Sequence, residues 1–196
     1  MKKQLSVYAA VAFAIVLLAF KSTTPSSWTA DTVHSRLGFT IKHLGIADFS
    51  GRFDTYEVKI TANDATDFSD AVVEMSGDIA SINTANETRN KHLKSADFFD
   101  ADQFPKFTFK STSFKKSAKN EYTVSGQLAM HGVTKEVTLK AIHVGNTTNP
   151  MSKKETSVFK VTGTFKRSDF GIGASFPEAM LSDLVALNAD LELAKD

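Results

Sequence analysis

The sequence has no cysteine among its 196 residues. Its fold is therefore held together without disulfides, and thiolate catalysis, zinc–thiolate sites and iron–sulfur clusters are excluded together. None of the five histidines shows metal-ligand spacing such as His-Glu-x-x-His. The sequence accordingly predicts no metal site and no cofactor.

The sequence also lacks a strong excess of positive or negative charge, since it contains 23 lysines and arginines and 22 aspartates and glutamates. Residues 1–21 contain three lysines and no acidic residue, so the remainder has 20 basic and 22 acidic side chains and a net charge of −2. Proteins that bind nucleic acid present a strongly basic face. We therefore expect no nucleic-acid partner.

Motifs for nucleophilic hydrolysis and for calcium binding are absent as well. There is no Gly-x-Ser-x-Gly sequence. Asp97, Asp100 and Asp102 resemble a calcium loop, but counting from Asp97 or Asp100 gives no glycine at position six and no glutamate at position twelve. No catalytic residue is predicted, and the protein is not expected to be an enzyme.

One uncharged, mostly apolar run is present, at residues 5–20, and it follows Lys2 and Lys3. A helix that spans a bilayer needs about 20 apolar residues, so the run is more typical of a signal peptide. We predict a signal peptide over 1–21, a linker over 22–27, one domain over 28–196 and a periplasmic location. Because no clean Ala-x-Ala cleavage site follows, an uncleaved N-terminal anchor stays open.

Apolar and polar residues alternate with period two over most of the remaining chain, which indicates β-strands. The predicted strands cover residues 35–43, 53–60, 71–79, 106–110, 122–130, 136–141, 159–166 and 185–193. Most connections are short, and short connections require antiparallel neighbours. The pattern predicts an all-β protein, an eight-stranded antiparallel barrel, with a two-sheet sandwich as the alternative of equal periodicity.

Two stretches interrupt the alternation, at 84–102 and 168–182. In the first, the spacing of Thr84 and Glu87 predicts a capping box and a short helical insertion between strands 3 and 4. Arg89 and His92 are three residues apart and share a face of that helix. An arginine beside an imidazole suits an anionic or carbonyl head group, so both are candidate binding residues at the barrel rim, together with Phe98 and Phe99.

Phenylalanine is abundant, with sixteen copies against one tryptophan and three tyrosines. Bulky apolar side chains on one phase of several strands predict an apolar slot for a ligand, although the same side chains would also fill a solid core. The predicted lumen residues are Leu37, Phe39, Ile41, Phe107, Phe109, Val124, Leu128, Val161 and Phe165.

Four stretches resemble the YceI-like family of exported bacterial lipid-binding proteins. They are Asp31-Thr32-Val33-His34-Ser35 with Lys42-His43-Leu44-Gly45; Ser81-Ile82-Asn83-Thr84 with Arg89, His92-Leu93, Ser95-Ala96-Asp97-Phe98-Phe99-Asp100 and Phe104-Pro105; His131-Gly132-Val133-Thr134-Lys135; and Arg167-Ser168-Asp169-Phe170-Gly171-Ile172. The resemblance implies a lipocalin-like barrel with a polyisoprenoid or similar amphiphile in its lumen, and no catalysis. Asn90 departs from the family, which usually has an acidic residue there, and this is expected to loosen an Arg89–carboxylate pair.

The sequence thus predicts a carrier for a long-chain amphiphile: an isoprenoid quinone, a polyprenyl phosphate or a fatty-acyl lipid. The expected partners are this hydrophobic small molecule and, transiently, the membrane or a membrane protein, with a homodimer left open. Two alternatives stand beside it. One is a hydrolase of a lipid or isoprenoid phosphate that uses His92 with Asp97 or Asp100. The other is a ligand-free envelope stress protein.

Overall fold

The computed structural model describes residues 25–64 and 66–196. The predicted signal segment, 1–21, lies outside the described residues. The first strand begins at Ser26, inside the stretch 22–27 assigned to a linker. Within the described ranges, no helix is long and apolar enough to cross a membrane.

The described residues form eleven β-segments and one α-helix. The segments are β1 (Ser26–Ala30), β2 (Arg36–His43), β3 (Ala47–Phe53), β4 (Tyr56–Ala62), β5 (Val72–Asp78), β6 (Ile82–Asn83), β7 (Lys106–Ala118), β8 (Glu121–Met130), β9 (Val133–Thr148), β10 (Glu155–Lys166) and β11 (Leu181–Lys195), and the helix is α1 (Glu87–Lys94). Two single 3₁₀ turns, Ile79–Ser81 and Arg167–Phe170, complete the elements.

These segments make an eight-stranded closed barrel. β1 and β2 are two parts of one interrupted strand, because both pair with β11. β3 and β4 form the second strand and β5 and β6 the third, since β4 pairs with β1 and β5 while β3 pairs with β2 and β6. β7 to β11 supply the other five, each antiparallel to its neighbour. The predicted barrel, with its helix between strands 3 and 4, is confirmed, and the sandwich is rejected.

The last strand closes the sheet. β10 lies along one side of β11, from Leu184 to Ala194. On the other side β11 pairs first with β2, from Leu181 to Asp190, and then with β1, from Leu193 to Lys195. β11 is therefore paired with antiparallel neighbours on both sides along most of its length, from one end of the barrel to the other. We call the end with the β2–β3 turn (44–46), α1 and the segment 171–180 the rim, and the end with β1 and the β9–β10 turn (149–154) the floor.

The floor is filled by aromatic side chains. Trp28 and Phe68 are fully buried and meet edge to face, with ring centroids 5.4 Å apart. Phe68 also meets Phe159 at 4.9 Å, and the buried His143 stacks on Phe159 at the same distance. Rings in such contact add stabilisation beyond the area they bury. The barrel is therefore a solid core at this end.

Higher in the barrel, glycines leave room for aromatic rings against the wall. Gly51 is paired with Phe39, and Gly77 with Phe107, across neighbouring strands. A Cβ added at either glycine would overlap the ring of that phenylalanine. Each ring therefore occupies the place that a side chain at the glycine would take. The rings lie against the wall of the barrel and leave more open space along its axis.

A methyl group at Gly77 tests this packing. We expect Gly77→Ala to lower the free energy of unfolding by about 1–3 kcal/mol, because Phe107 must leave its place on the wall. Ser76→Ala, on the opposite face of the same strand, is the control and should change stability by less than about 0.5 kcal/mol. Urea denaturation measures both. Equal stability of the two variants would show that the ring does not depend on the glycine.

Candidate functional site

The rim half of the barrel contains a cavity of about 450 Å³, within the roughly 300–1,000 Å³ typical of small-molecule sites. Most of its lining is apolar. Of the predicted residues it takes in Leu37, Phe39, Ile41, Phe107, Leu128 and Phe165, and all four rim candidates, Arg89, His92, Phe98 and Phe99.

A smaller cavity of about 80 Å³ lies towards the floor. Its lining includes the other three predicted lumen residues, Phe109, Val124 and Val161. All nine predicted lumen side chains therefore face one or both cavities. Side chains alternate strictly along a strand, so identifying one inward-facing residue of a strand places every second residue of that strand inside as well.

Helix α1 begins two residues later than the capping-box prediction required. Its N-cap is Asn86, whose side chain accepts a hydrogen bond from the Arg89 backbone N–H. Thr84 has a different role: its backbone N–H and its hydroxyl both donate to Oδ1 of the buried Asn90, at 2.8 and 2.6 Å. The predicted Thr84 cap is thus wrong, since a side chain at an N-cap must reach the first turn and that of Thr84 is held by Asn90.

Arg89 is oriented by the same threonine. Its Nε donates to Oγ1 of Thr84 at 2.8 Å, and its Nη2 donates to the Thr84 carbonyl at 2.6 Å. The guanidinium lies over the ring of Phe49, 4.9 Å from the centroid. Two of its five N–H groups are used in this way, and within the described ranges no carboxylate pairs with it. Arg89 is therefore fixed in place and keeps donors for a ligand.

His92 stands beside an aromatic wall. Its ring meets Phe98 at 5.0 Å and Phe176 at 5.8 Å, and those two phenylalanines stack on each other at 4.8 Å. Its Nε2 is 3.3 Å from Oδ2 of Asp97, and both side chains are largely exposed. Phe98 is buried, so it is part of the wall and not a free rim side chain.

Arg167 holds the segment 171–180 over the cavity through hydrogen bonds. The alternation pattern did not predict this role of Arg167. Its side chain is buried, and its five N–H groups all donate to backbone carbonyls, those of Ile172, Gly173, Phe176, Leu181 and Ser182. With every donor used, Arg167 has none left for a ligand. Its positive charge nevertheless lies at the cavity wall, because it is one of the lining residues.

A second link holds the same region. Ser168 donates to Asp183 through its backbone N–H at 2.9 Å and through its hydroxyl at 2.8 Å. Burial acts to raise the pKa of Asp183, but these hydrogen bonds and the nearby Arg167 and Lys166 outweigh it and hold that pKa below its ordinary value. The carboxylate is thus ionised at neutral pH and joins the 3₁₀ turn to β11.

The electrostatic character of the cavity follows from its lining. Among residues 25–64 and 66–196, the titratable side chains in the wall are Arg89, Arg167, His43 and His92, and no aspartate or glutamate of these ranges lines it. In a low-dielectric enclosure, an excess of cationic groups favours a negatively charged or electron-rich group. Among the described residues, no group of three or more aspartate, glutamate or histidine side chains is placed to hold a metal ion.

Several lining residues were not predicted. Phe49, Phe53, Met75, Val185 and Leu187 lie on the inward phase of their strands, so extending the alternation would have found them. Phe176 and Met180 belong to the irregular segment 171–180, where no period indicates which side chains point inwards. Their position depends on the hydrogen bonds of Arg167.

Comparison with known proteins agrees with this architecture. The model of the YceI-like domain matches residues 28–193. A UPF0312 protein of Staphylococcus aureus (strain N315), SA2479, is 37% identical over 167 residues, which is 85% of this chain and 93% of that protein.

Solved structures are similar as well. The crystal structure of a Campylobacter jejuni YCEI protein is 34% identical, with a TM-score of 0.73 over 85% of this chain and 96% of that one. A polyisoprenoid binding domain from Saccharophagus degradans shares the fold at 16% identity, with a TM-score of 0.60 over 86% of this chain and 98% of its own. From its domain match and its sequence identity to the Staphylococcus aureus and Campylobacter jejuni proteins, the chain belongs to the YceI-like family.

Proposed function

We propose that the protein is a carrier that binds a long-chain amphiphile, with the chain in the barrel lumen and the polar head at the rim. The observation that carries the proposal is the apolar cavity of about 450 Å³ whose charged lining, in the part of the chain that the structure describes, consists of the cations Arg89 and Arg167. Such a site removes a hydrocarbon chain from contact with water and offers hydrogen-bond donors to the head group at the rim.

Burial of the hydrocarbon chain supplies most of the free energy that binding requires. Each methylene removed from water contributes about 0.8 kcal/mol, so a chain of about a dozen carbons contributes on the order of 10 kcal/mol. Association costs about 4–15 kcal/mol in lost motion. The gain and the cost are of the same size, so net affinity depends on the length of the buried chain and on the contacts of the head group.

The head group that fits this rim is anionic, a carboxylate or a phosphate. Arg89 has unused N–H donors and no carboxylate partner in the described part of the chain, and Arg167 adds positive charge from a fixed position. Asn90 adds to the preference for an anion, because its side chain is neutral and binds Thr84, so it does not neutralise the guanidinium of Arg89. An anionic amphiphile would form charge-assisted hydrogen bonds that a neutral quinone forms more weakly.

The isoprenoid nature of the chain has indirect support. The Saccharophagus degradans domain of the same fold is described as polyisoprenoid binding. The predicted signal segment supports a periplasmic site of action, where such a carrier would move a water-insoluble ligand between surfaces.

The head-group role rests on Arg89 and is tested with a fatty acid and the alcohol of the same chain. We expect Arg89→Met to weaken binding of the acid about tenfold to a hundredfold, the effect of losing hydrogen bonds to a charged group, and to leave the alcohol nearly unchanged. Lys91→Met, an exposed lysine of the same helix, is the control. Fluorescence titration measures the six dissociation constants of wild type and the two variants for the acid and the alcohol. An equal loss for acid and alcohol would contradict a head-group contact.

We further propose that the rim makes transient contact with a lipid bilayer, the source of any such ligand. The β2–β3 turn exposes Leu44 and Ile46, the latter 85% exposed. The Leu44 backbone N–H donates a hydrogen bond to the backbone carbonyl of Met180. The side chain of Met180 is exposed and also lines the cavity. An apolar surface thus continues from the outside of the rim into the lumen, which suits insertion among lipid head groups.

Charge at the turn tests that contact. We expect Ile46→Asp to slow the transfer of a fluorescent fatty acid from the protein to phospholipid vesicles at least about tenfold, because it removes a burial worth about 1.5–3 kcal/mol. Met151→Asp is the control, since Met151 is 90% exposed but lies at the floor end. Stopped-flow transfer rates at increasing vesicle concentration give the result. Equal slowing by both variants would reject the rim as the contact.

One contact favours the hydrolase alternative, the 3.3 Å approach of His92 to Asp97 next to the cavity. A histidine held by a carboxylate is a general base when it reaches a substrate proton. For a carrier, incubation with a polyprenyl phosphate releases no inorganic phosphate, and His92→Ala changes only the affinity. Phosphate release that is lost in His92→Ala would establish the enzyme and overturn the carrier.

A further inference from the structure

We propose that a partition of side chains across the lumen sets the longest hydrocarbon chain that the protein holds. It consists of Leu37, Met75, Leu128, Phe165 and Leu187, the residues that line both the upper and the lower cavity. The inference rests on the proposed carrier function and adds to it the determinant of chain length.

The two cavities differ in how they end. The upper one, of about 450 Å³, continues to the rim, where His43, Phe49 and Met180 line it. The lower one, of about 80 Å³, ends at the packed aromatic floor, since Phe159 belongs both to its lining and to the cluster with Phe68. A chain that enters from the rim therefore fills the upper cavity first and meets the partition before it can reach the lower space.

The side chains of the partition are not equally able to move. Leu37 and Leu128 are buried at 6% and 4% exposure, so their surroundings hold them. Phe165 meets the buried Phe170 edge to face at 5.6 Å. Met75, Phe165 and Leu187 are all only partly buried, but Met75 alone of the five has an unbranched thioether with three rotatable bonds, which adapts easily. Met75 is thus the member whose size and rotamer decide whether the cavities join.

This geometry predicts a break in the dependence of affinity on chain length. While added methylenes enter the upper cavity, each should tighten binding about fourfold, from the transfer free energy of one CH₂. Once the chain end reaches the partition, a further carbon must displace packed side chains or bend back. From that length onwards the affinity should stay level or fall.

Shortening Met75 should move the break. In Met75→Ala the two cavities join, and the plateau should shift to longer chains. Val161 lines the lower cavity only, so Val161→Phe fills the space behind the partition. The double variant Met75→Ala/Val161→Phe should therefore return to the wild-type plateau. Met130→Ala is the matched control, because Met130 lines the upper cavity alone and its loss leaves the partition intact.

The experiment measures dissociation constants of the full chain and its variants for saturated fatty acids that increase by two carbons at a time. Thermal unfolding checks that each variant is folded, and Phe165→Leu replaces Met75→Ala if the latter does not fold. The expected result is a plateau that lengthens in Met75→Ala and reverts in the double variant.

Two failures have different meanings. If wild type binds neither a fatty acid of any length nor a polyprenyl phosphate, the carrier function itself is wrong. If wild type binds with a plateau that is the same in Met75→Ala, Met130→Ala and the double variant, the carrier stands and the partition is rejected.

Discussion

The pairing of β11 with β10 on one side and with β2 and β1 on the other is the constraint on which the molecule depends. A chain without cysteine has no covalent means of closing a sheet, so the backbone hydrogen bonds of this strand complete the barrel. Closure turns one phase of every strand into an interior surface. The cavities, their lining and the positions of the charged rim groups all follow from it.

Three further features decide which part of this interior is solid core and which part is open. Near the floor, Trp28, Phe68 and Phe159 fill the barrel completely. Higher up, glycines such as Gly51 and Gly77 let aromatic rings lie against the wall. At the rim, Arg167 satisfies its five donors on backbone carbonyls and so fixes an irregular segment over the cavity. The protein thus combines a rigid base with an apolar chamber and a cationic entrance.

Much of the architecture could be predicted from the sequence, because alternation is a local signal. The strand phase that places Leu37, Phe39 and Ile41 together also places them in the lumen. The helix was expected from the spacing of Thr84 and Glu87, although its cap lies elsewhere. The cap at Asn86 was missed because Thr84 is held by Asn90, a contact that depends on how the preceding segment folds. Arg167 and Phe176 were missed because their positions are set by tertiary hydrogen bonds and not by period.

The central claim is that the lumen holds an acidic long-chain amphiphile, and native mass spectrometry of the protein purified from a bacterial envelope tests it most directly. The account predicts a population heavier than the polypeptide, with a mass difference that matches an acidic isoprenoid or acyl lipid recovered by solvent extraction. A single population at the polypeptide mass, with no lipid in the extract and no uptake of added fatty acid, would contradict it. That result would favour the ligand-free envelope protein.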